Sequence, residues 1–343
     1  MSEISMNKET ALKLLKNMWR IRRMEELCAE LYTRQKIRGF LHLYIGEEAV
    51  ATGVLAHAKK EDYIVATYRE HAHALLKGLS AKEIMAEMFA KKTGCSRGRG
   101  GSMHLFSHQH KLIGGNAIVG GGLPLAAGLG LSIHYKKKFG LSSDASSMPV
   151  VFCFFGEGAM AEGAFHEAMN LAVLWELPVI FCCENNLYAM GTALNRAQSQ
   201  TDLCKKAQAY EMQTASIDGM NVEEVFNKTK TIVDTVRTTG RPYFVELKTY
   251  RFRAHSMYDP DLYRSKDEVE KWKQHCPIQN WQQALIQQSM LTENEINAIK
   301  AEAEAEMSEA VNFAENSEFE DISDIAKFIY AEEDKTVQSG GVQ

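Results

Sequence analysis

Residues 150–191, VVFCFFGEGAMAEGAFHEAMNLAVLWELPVIFCCENNLYAMG, decide the fold. An apolar run from Val150 to Phe155 stops at Gly156-Glu157-Gly158. A helical pattern follows, with Phe165, Met169, Ala172 and Trp175 three or four apart. A second apolar run, Val179 to Cys183, ends in Glu184-Asn185-Asn186. Two short β-branched and aromatic runs around a segment of period 3.6 predict a βαβ unit. Its polar strand ends then lie where open α/β sheets place their ligands.

The outer chain extends this pattern. Residues 8–35 predict an amphipathic helix, and Gly46-Glu47-Glu48 opens a small-residue helix to about His57. Asp62–Thr67 reads as a strand running into Tyr68-Arg69-Glu70-His71. Ser80 and Glu83 have capping-box spacing and start a helix through Ala90. A glycine- and arginine-rich segment (94–101) and a second glycine cluster (114–122) precede a helix of small residues. That helix suits close packing on another helix or a second subunit. Met212–Ile217 and Tyr243–Tyr250 are further strands around a helix near 221–237, and the chain is helical from Lys266. The expectation is one α/β domain over 1–343: an N-terminal helix (1–35), a mostly parallel sheet flanked by helices, C-terminal helices (265–332) and a tail (333–343).

Bulk properties exclude several classes. A 45% apolar and 24% charged composition is that of a soluble globular protein. A formal charge of −5 gives no case for nucleic acid or an anionic membrane. Seven scattered cysteines, without zinc-like spacing, fit reduced thiols. Gly120–Ile133 would span about 21 Å as a helix, short of a bilayer core. The N-terminus has neither a secretory nor a transit-peptide pattern, so a cytoplasmic location is expected.

The Gly156-Glu157-Gly158 turn has two functional readings. Gly-x-Gly-x-x-Ala between strand and helix is a variant dinucleotide fingerprint, with Glu184 as the ribose-binding acid. In that site, however, Glu157 would repel a pyrophosphate. A divalent cation between acid and phosphates removes the conflict. Mg²⁺ takes oxygen ligands in an octahedron, commonly one or two carboxylates plus phosphates. Glu157, the Asn186 amide and the main-chain carbonyl near Tyr188 could supply three. Arg69 at a strand end could grip a phosphate, although such arginines are more often surface ion pairs. His255 follows Arg251 and Arg253 in a loop with little apolar anchor. His42, within an apolar run, reads more readily as a hydrogen-bonded core histidine, and Arg97/Arg99 more readily as a flexible solvated loop than as a phosphate site.

Taken together, GFLHLYIGEEAV (39–50), YREHAHALLKG (68–78), GRGGSMHLF (98–106), GGNAIVGGGLPLAAG (114–128), GEGAMAEGAFHEAMN (156–170), LPVIFCCENNLYAMGT (177–192) and TYRFRAHSMYDP (249–260) resemble one family. It is the α subunit of the E1 component of thiamine-diphosphate-dependent 2-oxo-acid dehydrogenases, and the pyruvate-type members look most similar. The resemblance implies a thiamine-diphosphate-binding fold, with thiamine diphosphate and Mg²⁺ as cofactors. It implies Glu157, Asn186 and the Tyr188 carbonyl as metal ligands, with Gly158 and Ala159 along the diphosphate. Tyr68, Arg69, Arg251 and His255 would bind the diphosphate, Ala117 and Val119 would meet the aminopyrimidine, and His42 would lie near substrate. The implied partners are an E1 β subunit in an α₂β₂ heterotetramer, the lipoyl domain of an E2 acyltransferase, and a small 2-oxo acid. Glu157 is the branched-chain residue where pyruvate-type members usually carry Asp, and GGGLPLAAG is also similar to acetoin dehydrogenase. An NAD-binding dehydrogenase and an inactive scaffold subunit are the more remote alternatives.

Overall fold

The computed structural model describes residues 4–141 and 148–329. Its centre is a six-stranded parallel sheet in the order β2-β1-β3-β4-β8-β7. The strands are β1 (Tyr63–Thr67), β2 (Leu112–Asn116), β3 (Val151–Gly156), β4 (Val179–Asn185), β7 (Gln213–Asp218) and β8 (Tyr243–Lys248). A small antiparallel hairpin, β5 (Tyr188–Ala189) and β6 (Thr192–Ala193), stands outside the sheet.

The two central strands are buried on both faces, which explains their unbroken apolar runs. Successive residues serve opposite layers. Phe152, Phe154, Ile180 and Cys182 join the larger core, whereas Val151, Cys153, Phe155, Val179, Phe181 and Cys183 join the smaller one. The larger core is closed by α1 (Lys8–Thr33), α2 (Glu48–Leu55), α3 (His71–Lys77), α4 (Ala81–Met88) and α9 (Val222–Thr239). α11 (Pro277–Gln287) and α12 (Glu293–Asn316) complete that layer, and α10 (Lys266–Lys273) sits at its edge. The smaller core lies under α5 (Gly122–Lys138), α6 (Gly163–Leu174) and α8 (Leu203–Gln208), with the short α7 (Leu194–Ala197) beside it.

Local signals act as expected at the helix ends. Ser80 and Thr292 both form complete capping boxes, with Glu83 and Glu295. The small-residue helix α5 packs Ala126, Ala127 and Gly130 inward, and a Cβ on Gly130 would meet Val179 at 2.7 Å. α12 runs along α1, with Arg20 gripping Glu306 through two bonds of 2.6 Å. At the amino ends of the strands Arg237 pairs both guanidinium nitrogens with buried Asp62, at 2.9 and 2.7 Å. Asp62 also accepts the Val150 amide at 2.9 Å, tying β1 to β3. Among the described residues no helix is long and apolar enough to cross a membrane. The tail expected at 333–343 lies outside the described residues.

Two elements depart from expectation. β2 contains Gly114 and Gly115 and carries little apolar pattern. Glycine is required there because a Cβ on Gly115 would fall 2.0 Å from the buried Glu70 carboxyl. In addition, the helix after β3 does not begin at the Gly-x-Gly turn. A 3₁₀ turn, Glu157–Ala161, intervenes, and α6 starts only at Gly163.

Candidate active site

The strand order places a topological switch between β1 and β3: the chain turns outward from β1 to β2 on one side and from β3 to β4 on the other. Ligands of open α/β sheets bind outside the carboxyl ends of strands at such a point. A cavity of about 260 Å³ opens there, and residues far apart in sequence meet in it. Tyr68 and Arg69 follow β1, Glu157 to Ala159 follow β3, and Asn186 follows β4. Tyr188 arrives on the hairpin, and Arg251 and His255 on the loop after β8. Val119 completes the set from the glycine-rich turn before α5.

Two oxygens in this wall have no protein partner. Glu157 is 1% exposed, and its Oε1 meets no donor, while Oε2 accepts the Asn186 main-chain N–H at 3.3 Å. The Asn186 Oδ1 is also buried and unpartnered. Buried polar atoms are almost always satisfied, so two adjacent orphans mark a place where something else binds. Burial raises the Glu157 carboxyl above its usual range, and the Arg251 cation pulls it back. Among the described residues no three His, Cys, Asp or Glu side chains converge on a metal. A cation here would therefore need oxygens from a ligand, as Mg²⁺ does when it binds through substrate phosphates.

Opposite these acceptors stand donors. Arg69 is held by the Leu43 carbonyl at 2.7 Å and the His255 carbonyl at 2.9 Å, which aims its fork. Arg251 donates to the Met190 carbonyl at 3.0 Å and the Tyr188 carbonyl at 3.4 Å, fixing the hairpin. Its other nitrogen lies 3.0 Å from His255 Nδ1. Since arginine only donates, Nδ1 is the acceptor and the ring proton sits on Nε2. The loop after β8 has more anchors than its composition suggests: Arg264 donates to the Arg251 carbonyl at 2.6 Å, and Phe252 is buried. Tyr258 and Leu262 at its tip are strongly exposed.

Two sequence expectations are displaced. Ala117 is exposed and does not line the cavity; Asn116 accepts the Ile118 amide at 2.9 Å, and Asn116 and Ile118 line it instead, Ile118 with its side chain exposed at the rim. His42 also does not line it. It stands behind, its ring 4.5 Å from Tyr68 and 4.9 Å from His255. The dinucleotide reading loses both supports. Glu184 is buried and accepts the Tyr44 hydroxyl, and no helix N-terminus follows the Gly-x-Gly turn. The Arg97/Arg99 segment is folded rather than loose. Four of its amides, from Ser96, Gly98, Gly100 and Gly101, close on the Glu87 carboxylate at 2.7–3.1 Å.

The sequence alone did not single out Glu47, which is fully buried and accepts from Asn186 Nδ2 at 3.0 Å. Burial and the neighbouring Glu184 push its carboxyl up to about 7, against the pull of Arg69. An acid pair at a helix start is ordinarily explained by the helix dipole, which hides a signal of this kind.

The two histidines predict a pH effect. Burial and the Arg69 cation depress His42 to about 2 and His255 to about 3. Unfolded histidine titrates near 6.5, so below that pH the unfolded chain binds more protons and stability falls as pH falls. Each ring contributes a slope of about 1.4 kcal/mol per pH unit until its folded-state value is reached. Melting curves of the ligand-free protein from pH 7.5 to 5 are expected to flatten in a His42→Asn/His255→Asn variant. An unchanged slope would contradict the assignment.

The family model for the dehydrogenase E1 component matches residues 16–323. The chain belongs to this family. The chain is 39% identical over 331 residues to "Pyruvate dehydrogenase E1 component subunit alpha" of Porphyra purpurea, covering 96% of each chain. The protein of that name from Rickettsia typhi is 41% identical over 310 residues, covering 90% of this chain and 92% of the relative. A chloroplastic pyruvate dehydrogenase E1 component subunit alpha-3 of Oryza sativa subsp. japonica is 40% identical, covering 96% of this chain and 77% of its own. In this E1 chain, the cavity at the β1/β3 switch is thus the candidate active site.

Proposed function

We propose that this chain is the α subunit of a pyruvate dehydrogenase E1, binding thiamine diphosphate through Mg²⁺ and acting with a β subunit. One observation carries the reading: the two orphaned oxygens, Glu157 Oε1 and Asn186 Oδ1, face a cluster of buried donors in one cavity. A diphosphate–Mg²⁺ group supplies what both halves lack. Glu157, Asn186 and the Tyr188 carbonyl would hold the cation, and Arg69, Tyr68, Arg251 and His255 would hold the phosphates. Bound thiamine diphosphate supplies a carbon nucleophile and an electron sink for losing carbon dioxide from a 2-oxo acid. The chain's own contribution is binding, orientation and charge. His255, neutral with its proton on Nε2, is a donor toward the reacting end of the cofactor, and His42 backs it.

The cavity's rim fits a second subunit. Ile118, Val119 and Met190 are exposed there, and Leu125, Tyr135 and Phe139 continue an apolar strip along α5. A β subunit seated on this rim would bring the carboxylate that activates the aminopyrimidine. A lipoyl domain of E2 would be the acceptor for the acyl group.

The test is coexpression with the β-chain gene, followed by assay with pyruvate, branched 2-oxo acids and acetoin. Pyruvate is expected to be the best substrate, with activity only in the assembled protein and only with Mg²⁺ and thiamine diphosphate. Preference for a branched acid or acetoin would move the substrate assignment, for which Glu157 gives the specific ground. Decarboxylation by the α chain alone would overturn the two-chain reading.

A further inference from the structure

We propose that Glu47 is a positioning residue that sets the Asn186 carboxamide and the Arg69 guanidinium for the metal–diphosphate group. The inference rests on the functional reading above. Glu47 lies in the turn before α2, far in sequence from the strand ends that build the site, and no part of it reaches solvent. Its Oε1 accepts from Asn186 Nδ2 at 3.0 Å, and its Oε2 lies 3.8 Å from Arg69 Nε without a hydrogen bond. A single acid thus stands between the amide offered to the cation and the guanidinium offered to the phosphates.

The chemistry of the pair fixes a direction. An amide has a donating and an accepting end, and either can be turned toward a cavity. Here Glu47 Oε1 accepts, so the end of Asn186 facing Glu47 is the nitrogen. The oxygen is forced the other way, and it is this Oδ1 that has no protein donor. The same asparagine donates its main-chain N–H to Glu157 Oε2 at 3.3 Å, leaving Glu157 Oε1 unpartnered beside it. The Asn186 oxygen is thus set by Glu47 through the side chain, while the neighbouring Glu157 is set by the Asn186 main chain. A purely structural role is poorly served by this side chain, because a buried acid whose cation stands 3.8 Å away without a hydrogen bond is costly and an apolar residue would pack without that cost. Partners that orient metal ligands from behind are the recognised use of such groups.

Two variants of nearly equal volume separate the roles. Glu47→Gln keeps an oxygen that can accept from Asn186, whereas Glu47→Met removes it. Mn²⁺ uptake is read by electron paramagnetic resonance on the chain purified with its β partner, in the presence of thiamine diphosphate. Glu47→Met is expected to weaken Mn²⁺ binding about 10–100-fold, with Glu47→Gln within about threefold of wild type. The ligand-free melting temperature of Glu47→Met is expected to be no lower than wild type. Wild-type protein that takes up Mn²⁺ while the two variants bind alike overturns the inference alone. Wild-type protein that takes up none with the cofactor present overturns the functional reading and this inference with it. Should Glu47→Met fail to fold, Glu47→Gln carries the test, and a loss beyond about tenfold overturns the proposal.

Discussion

Replacing Glu157 by alanine is expected to abolish cofactor binding while leaving the free protein as stable as before, or more so. Both halves follow from one fact: the carboxylate is buried with Oε1 unpartnered. In the free chain it is a cost, since a buried charge without a full set of partners opposes folding. Removing it relieves that cost, as is common for residues kept for function at the expense of stability. With Mg²⁺ and thiamine diphosphate present the balance reverses. Loss of a direct ligand should exceed the roughly 100-fold upper range seen for residues one shell further out. The readout is the melting temperature with and without cofactor. Wild type at a hundredfold excess over its dissociation constant gains about 2.7 kcal/mol from linkage, and the variant is expected to gain none. A variant stabilised by cofactor to the wild-type extent would show that Glu157 is not a ligand. Asn186→Ala is expected to act in the same direction, and Glu157→Asp, which keeps the acid but shortens it by a methylene, to fall between.

The two side chains proposed as metal ligands, Glu157 and Asn186, were legible because each directly follows a strand. Glu157 and Asn186 are interruptions of apolar runs, and in a parallel sheet such interruptions can only face the carboxyl edge. The register confirms the arrangement, with Gly156 opposite Glu184 on neighbouring strands. What could not be read were partnerships between distant segments. Glu47 and Asn186 are separated by 139 positions, and no local pattern announces that one orients the other. β2 was illegible for a similar reason. Its glycines look like a loop until Glu70 is seen filling the space their side chains would need. Ala117 itself stands outside the cavity lining while its neighbours Asn116 and Ile118 line it, a placement that follows from the turn at Asn116. The glycine–arginine segment reads as a solvated loop for want of any signal that Glu87, on the helix before it, collects its amides.

That last arrangement carries the largest expected loss of stability. Glu87→Ala removes the acceptor of four main-chain N–H groups at once. Hydrogen bonds to a charged group each contribute about 1.5–3 kcal/mol, and because they are not additive a total near 4 kcal/mol is the working figure. At Gly98 the backbone is left-handed, with φ of +75°, and a would-be Cβ would fall 2.3 Å from the Ala90 carbonyl carbon. Glu87→Gln is expected to recover only part of the loss, because its amide nitrogen would face amides that also donate. The damage should spread along identifiable contacts. Arg97 and Arg99 both pair with Glu320, and Arg99 also donates to the Asp324 and Lys327 carbonyls, so the segment after α12 loses its seat. Toward the site, Ser102 follows the same loop and meets His71 at 2.8 Å, and His71 opens α3 just after Arg69. Urea unfolding should shift by the stated amount, and trypsin should cut first at Arg97 or Arg99. A variant with wild-type stability and no new cleavage would mean that the arginines' contacts to the C-terminal segment hold the loop without its acid.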